Sequence, residues 1–123
     1  MQQSILVVDD EPQIREMLSM YFANHGYRTA TAGDSTETLR VLKDTKVDVV
    51  VLDIGLADED GLNLLEKLKT LQPDLRVIML TGMGFVEDLL HEAQEKGADG
   101  YVSKVLPLDE LLNSIQRILK KAE

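Results

Sequence analysis

Two apolar runs in this sequence end on carboxylates: Asp9, Asp10 and Glu11 follow Ile5-Leu6-Val7-Val8, and Asp53 follows Val49-Val50-Val51-Leu52. Two others end on different polar chemistry, with Thr81 after Val77-Ile78-Met79-Leu80 and Ser103-Lys104 after Gly100-Tyr101-Val102. If the runs are neighbouring strands, three aspartates, a hydroxyl and an ammonium converge on one edge. Two like charges about 4 Å apart cost on the order of 4 kcal/mol at an effective dielectric near 20. Such a cluster therefore needs a cation or protonation. Hard oxygen donors with room for water suit Mg²⁺, which is commonly held by a few carboxylates together with substrate phosphate. An aspartate neutralised in this way can attack phosphorus, as carboxylates do in forming aspartyl-phosphates. A lysine beside it would share the charge on the equatorial oxygens. Taken singly, each residue has a plainer role. Asp10 or Glu11 before Pro12 could cap a helix, Thr81 before Gly82 could be a turn residue, and Lys104 could be a solvated charge. Their shared place at the ends of the runs is what points to chemistry.

The elements that would position them are legible from periodicity. Continuous β-branched runs suit strands buried on both faces, as in a parallel sheet. Arg28 to Ala32 and Gly100 to Val102 are shorter and more polar, as edge strands should be. Ile14, Met17, Leu18, Tyr21 and Phe22 share one helical face, with Pro12 in the first turn. Leu64, Leu65, Leu68 and Leu71 form a second stripe that Pro73 ends, and Val86, Leu89, Leu90 and Ala93 a third that Gly97 closes as a C′ residue. Leu108, Leu111, Leu112, Ile115 and Leu119 form the last, while Ser35 to Lys43, with Leu39 and Leu42, gives the weakest helical pattern. Strand and helix alternate five times, which implies right-handed crossovers and helices on both faces of the sheet. In such sheets ligands bind beyond the carboxyl ends of the strands, where the strand order reverses.

Composition narrows the class. A chain of 123 residues is the length of one domain, and 44% hydrophobic with 28% charged residues is an ordinary globular balance. The net charge of −9 disfavours direct contact with nucleic acid or an anionic membrane surface. The lack of cysteine removes disulfides, thiol catalysis and thiolate zinc sites together. Neither a signal peptide nor an apolar stretch long enough for a membrane span is present, so the expected setting is soluble and cytoplasmic.

Val8-Asp9-Asp10-Glu11-Pro12, Val51-Leu52-Asp53-Ile54, Leu80-Thr81-Gly82 and Gly97-Ala98-Asp99-Gly100-Tyr101-Val102-Ser103-Lys104 resemble the receiver domain of two-component response regulators. The motifs run in order over nearly the whole chain. The resemblance implies a single receiver domain over residues 1–123 with a flavodoxin-like (βα)5 fold, its five parallel strands in the order 2-1-3-4-5. It also implies that Asp53 is the phosphoacceptor, supplied by a histidine kinase or histidine phosphotransfer protein. Asp10 would ligate Mg²⁺ directly, Asp9 mainly through water, and Gly55 through its backbone carbonyl. Thr81 would be the switch hydroxyl, Lys104 its ion-pairing lysine, Tyr101 the coupled aromatic and Gly61 the glycine opening the helix after the phosphorylation loop. Downstream, a partner protein or output domain would read the surface of the fourth helix, fifth strand and fifth helix, with Phe85 and the exposed side of Tyr101 as contacts. A phosphorylation-linked dimer is a further possibility that the resemblance raises. The chain fits a stand-alone regulator or a receiver cut from a longer protein.

Several positions depart from the family pattern. Ala57 stands where proline is usual, which leaves the loop from Gly55 to Asp60 less rigid. Val105 stands where a cis-linked proline usually follows the lysine. A cis bond to valine costs roughly 2.5–4 kcal/mol, so the Lys104–Val105 bond is expected to be trans. Gly82 and Gly84 flank Met83 and loosen the backbone before the fourth helix. Gly55 and Met83 offer no amide or carboxylate to orient water, so slow autodephosphorylation is expected. Two other readings compete. One is a pseudo-receiver, an interaction module without a phosphorylation cycle. The other is a small aspartate-nucleophile phosphohydrolase, but Gly55 stands where that chemistry needs a second aspartate, so no true enzyme is expected.

Overall fold

The computed structural model describes residues 2–56, 58–82, 87–104 and 107–121. Strand and helix alternate throughout: β1 (Ser4–Val8), α1 (Pro12–Asn24), β2 (Arg28–Ala32), α2 (Ser35–Asp44), β3 (Val49–Asp53), α3 (Gly61–Leu71), β4 (Arg76–Thr81), α4 (Glu87–Glu95), β5 (Gly100–Ser103) and α5 (Leu108–Lys121). The strands form one parallel sheet in the order β2-β1-β3-β4-β5. The two polar runs are its edges, and the three continuous apolar runs fill its middle.

Those runs are continuous because alternate residues feed different cores. Ile5, Val7, Val49, Val51, Ile78 and Leu80 pack with Leu18 and Phe22 of α1 and with Leu111, Leu112, Ile115 and Leu119 of α5. Leu6, Val8, Val50, Leu52, Val77 and Met79 pack on the opposite face with Leu42 of α2, Leu62, Leu64, Leu65 and Leu68 of α3, and Ala93 of α4. A polar residue at any of these strand positions would be desolvated whichever face it took.

The helix ends follow local rules. Asp34 caps α2 through the Glu37 amide at 2.8 Å, and Asp60 caps α3 through the Leu62 amide at 2.9 Å. Gly97 has φ +97° and closes α4, with the Ala98 amide reaching back to the Ala93 carbonyl at 2.9 Å. At the start of α1, Pro12 takes the first helical position, but the preceding Glu11 makes no side-chain capping bond. Its backbone amide donates instead to Asp9 Oδ1 at 2.9 Å. Capping is thus not what the Glu11 carboxylate does.

Two side chains leave the expected helical stripes. Met17 is 45% exposed and Leu71 66% exposed, although both fall at core spacing. Each lies at the margin of its stripe, at one edge of the buried face. Among the described residues, no helix is long and apolar enough to cross a membrane.

Candidate functional site

Asp53 is the last residue of β3 and Thr81 the last of β4, while Asp9 and Asp10 follow β1 and Lys104 follows β5. Parallel pairing brings these ends to one edge. Asp53 sits opposite Leu80 and Thr81 opposite Ser103, and the Lys104 amide donates to the Thr81 carbonyl at 2.7 Å. Tyr101 lies opposite Met79, further down the same pair of strands. The four strand-end groups named from the sequence are therefore neighbours in space.

Burial makes the site electrostatically demanding. Asp9 is fully buried, Asp53 is 4% exposed, and Asp10 is the more open of the three. Each offers a carboxylate oxygen, and those oxygens all lie within 4.8 Å of one another. Lys104 answers part of that charge, its Nζ lying 2.8 Å from Asp9 Oδ2, 3.2 Å from Asp53 Oδ2 and 3.6 Å from Glu11 Oε1. Asp9 Oδ2 takes no well-aligned hydrogen bond in addition to that ion pair. Asp53 Oδ1 accepts the Gly55 amide at 3.1 Å.

Burial pushes the Asp53 carboxyl above its usual range, as does the charge of Asp9; the Gly55 amide and Lys104 offset this only in part. For Lys104, burial works against the charged form. The hydrogen bond to Asp9 and the charges of Asp53 and Asp9 outweigh it and raise the ammonium above its ordinary value. One lysine thus serves two buried carboxylates and leaves the cluster short of positive charge. Hard oxygen donors, a deficit of cation and an open side at Asp10 and Gly55 fit Mg²⁺.

The backbone around the acids is tightly fixed. The Asp9 amide donates to the Ala32 carbonyl at 3.1 Å, and Arg15 donates to the Asp9 carbonyl at 2.7 Å. Arg15 also lies against Gly33, where an added Cβ would meet its guanidinium at 3.0 Å. After Asp53 the chain folds back, with an antiparallel bridge between Gly55 and Asp60 and the Gly61 amide donating to the Ile54 carbonyl at 2.8 Å. A Cβ on Gly61 would collide with the Asp53 carbonyl and approach Ile54 Cα to 2.7 Å. Glycine is required there by contact, not by an unusual φ.

The Thr81 side chain is 1% exposed and Ser103 7%. Tyr101 packs against the α2–α3–α4 core, its hydroxyl shut off from solvent. Arg15 was not legible as a contributor, since its contact depends on where the turn after β2 passes. Glu11 was visible in the acidic run, but its reach to Lys104 was not. The expectations for Ala57, Met83, Gly84, Phe85, Val86 and the Lys104–Val105 bond fall outside the described residues.

Comparison with known proteins gives a consistent result. The family model for the response regulator receiver domain matches residues 5–116. The chain is 37% identical over 118 residues to the probable transcriptional regulatory protein TcrX of Mycobacterium tuberculosis, covering 96% of this chain and 50% of that one, so it spans about half the length of that relative. It is 31% identical to sporulation initiation phosphotransferase F of Bacillus subtilis, covering 97% of this chain and 95% of that protein. The crystal structure of a response regulator receiver domain protein from Methanospirillum hungatei superposes with a TM-score of 0.93 at 29% identity, covering 99% of this chain and 97% of that one.

Proposed function

This chain belongs to the response regulator receiver domain family, and from that premise we propose that it is a phosphorylation-dependent switch whose phosphoacceptor is Asp53. The donor would be the phosphohistidine of a sensor kinase or of a histidine phosphotransfer protein. The observation that carries this reading is the convergence of Asp9, Asp10 and Asp53 at the carboxyl edge of the sheet, with a single lysine, Lys104, paired to Asp9 and Asp53.

Mg²⁺ would be held by Asp10, Asp53 and the Gly55 carbonyl, with Asp9 acting mainly through water, and would supply charge neutralisation at the acceptor. The Gly55 amide on Oδ1 and Lys104 near Oδ2 hold the Asp53 carboxylate in one orientation. A carboxylate oxygen of Asp53 bonds to phosphorus as the P–N bond to the donor imidazole breaks, and the imidazole leaves with the electron pair. Lys104, divided between Asp9 and Asp53 beforehand, follows the new charge onto the phosphoryl oxygens. The modification adds about −1.5 to −2 charges, and the Thr81 hydroxyl gains an acceptor from it. Movement of Thr81, one residue beyond Leu80, is felt at Tyr101 on the adjoining strand and biases the α4–β5–α5 surface between two states.

On this reading the domain turns over no substrate beyond its own phosphorylation and dephosphorylation. It works in the cytoplasm by contact with proteins, a downstream partner or an output domain, and binds neither nucleic acid nor membrane itself. Met17 and Met20, exposed on α1 beside the site, suit docking of the phosphodonor. Beryllofluoride with Mg²⁺, followed by amide chemical shifts, tests the proposal. The wild type should respond at the site and on the α4–β5–α5 face, and Asp53→Asn should not. Silence from both proteins would mean a receiver fold without a phosphorylation cycle.

A further inference from the structure

The segment between β3 and α3 follows the phosphoacceptor and carries the carbonyl assigned to the metal, yet it has alanine at position 57, where proline is usual in the family. What holds it is a set of polar ties. Glu59 pairs with Lys67 of the helix that follows, at 2.7 Å. Asp58 instead reaches across to α2. The Ser35 hydroxyl donates to Asp58 Oδ2 at 2.6 Å, and the Ser35 amide lies 3.2 and 3.3 Å from the two carboxylate oxygens.

Ser35 is the first residue of α2, and Asp34 already caps the amide of Glu37. The Ser35 amide is thus one of the donors a helix leaves without an internal partner, and Asp58 fills that place from another loop. The same β2–α2 turn begins at Ala32, whose carbonyl accepts the Asp9 amide at 3.1 Å. The chain after each buried acid therefore reaches one turn: Asp9 through Ala32, and the segment after Asp53 through Asp58 and Ser35.

We propose that Ser35 and Asp58 are a positioning pair, which fixes the β3–α3 loop against the start of α2 and so sets Asp53 and Gly55 for Mg²⁺ and phosphoryl binding. The inference rests on the function proposed above. The pair touches neither ligand, and its effect passes through the loop backbone. The Ser35 hydroxyl also holds the Asp58 carboxyl below its usual range, as expected of a hydrogen bond to the ionised form.

Ser35→Ala removes the hydroxyl bond without changing charge, and so separates geometry from electrostatics. Mg²⁺ affinity by calorimetry and the rate of Asp53 phosphorylation by a small-molecule phosphodonor should each fall about 3- to 10-fold, less than the roughly 10–100-fold typical when a direct hydrogen-bond partner of a metal ligand is lost. The melting temperature should stay close to that of the wild type, because the contact is exposed. Ser35→Thr should retain affinity and rate, and Ser35→Ala with Asp58→Ala should be no weaker than Asp58→Ala alone. Unchanged affinity in Ser35→Ala, additive effects, or losses that merely track the melting temperature would overturn the pairing and leave the switch intact. A wild type that takes up neither Mg²⁺ nor a phosphoryl group would overturn the proposed function, and this inference with it.

Discussion

Replacing Asp53 by asparagine should stabilise the metal-free protein. The Asp9, Asp10 and Asp53 oxygens lie within 4.8 Å of one another. At that distance and an effective dielectric near 20, each like-charged pair costs about 3.5 kcal/mol, so Asp53 bears about 7 kcal/mol from its two neighbours. Lys104, at 3.2 Å from Asp53 Oδ2, returns about 5 kcal/mol on the same basis. The difference, about 2 kcal/mol, is halved by water on the Asp10 side to a net gain of about 1 kcal/mol for the neutral side chain. Asparagine keeps an oxygen for the Gly55 amide, so that bond survives. Over 123 residues a gain of about 1 kcal/mol raises the melting temperature by about 4 °C. The folded-state carboxyl of Asp53 is raised above its usual value of 3.8. The penalty is therefore absent below that pH and appears as pH rises through the folded value, and the two proteins should converge in acid. Mg²⁺ at roughly ten times its dissociation constant stabilises the wild type by about 1.4 kcal/mol; with one ligand charge lost the variant should gain under about 0.4 kcal/mol, which reverses the order. Thermal melts followed by circular dichroism, in chelator and in Mg²⁺ across pH, measure each part. A variant no more stable than the wild type at neutral pH in chelator would refute the charge reasoning, and so would a gap that persists in acid.

Two other substitutions probe the same region. Lys104→Ala strands the buried Asp9 carboxylate and should cost about 2 kcal/mol in chelator, below the 3–5 kcal/mol of a fully buried pair because the ammonium reaches solvent. Much of that loss should return with Mg²⁺, as urea melts with and without the metal would register. The raised ammonium of Lys104 also makes its contribution complete below the ordinary lysine value of 10.5 and lost as pH rises through the folded value. Gly61→Ala drives a methyl into the Asp53 carbonyl and should cost about 1–3 kcal/mol. Its amide shifts should change at Asp53 and Gly55, whereas a purely local effect would stop within α3.

The sequence was most informative where one physical requirement acted alone. Burial on both faces of a parallel sheet demanded uninterrupted apolar runs, and β1, β3 and β4 fall where those runs do. Gly97 was legible because the end of α4 needs a positive φ, and the strand-end acids because the topology collects strand ends. What escaped depended on the meeting of distant segments. Met17 and Leu71 have core spacing, but at the margins of their stripes they are left exposed. The Arg15 contact needs Gly33 to pass beneath it, and the Asp58–Ser35 tie needs two loops from different crossovers to meet. Glu11 stood where a cap would stand, yet the Asp9 side chain took the amide that defines the turn.

The partners in the acid cluster are far apart along the chain: Lys104 and Asp53 are separated by 51 positions, and no single βα unit contains the cluster. Closing loops of that length precedes any reward from the contacts they bring. The acids meet when β1 pairs with β3, whereas Lys104 joins them only when β4 and β5 have added to the sheet. On the proposed function, metal uptake followed in time during refolding would thus track the pairing of β1 with β3, and the neutralising ammonium would arrive only as the sheet is completed.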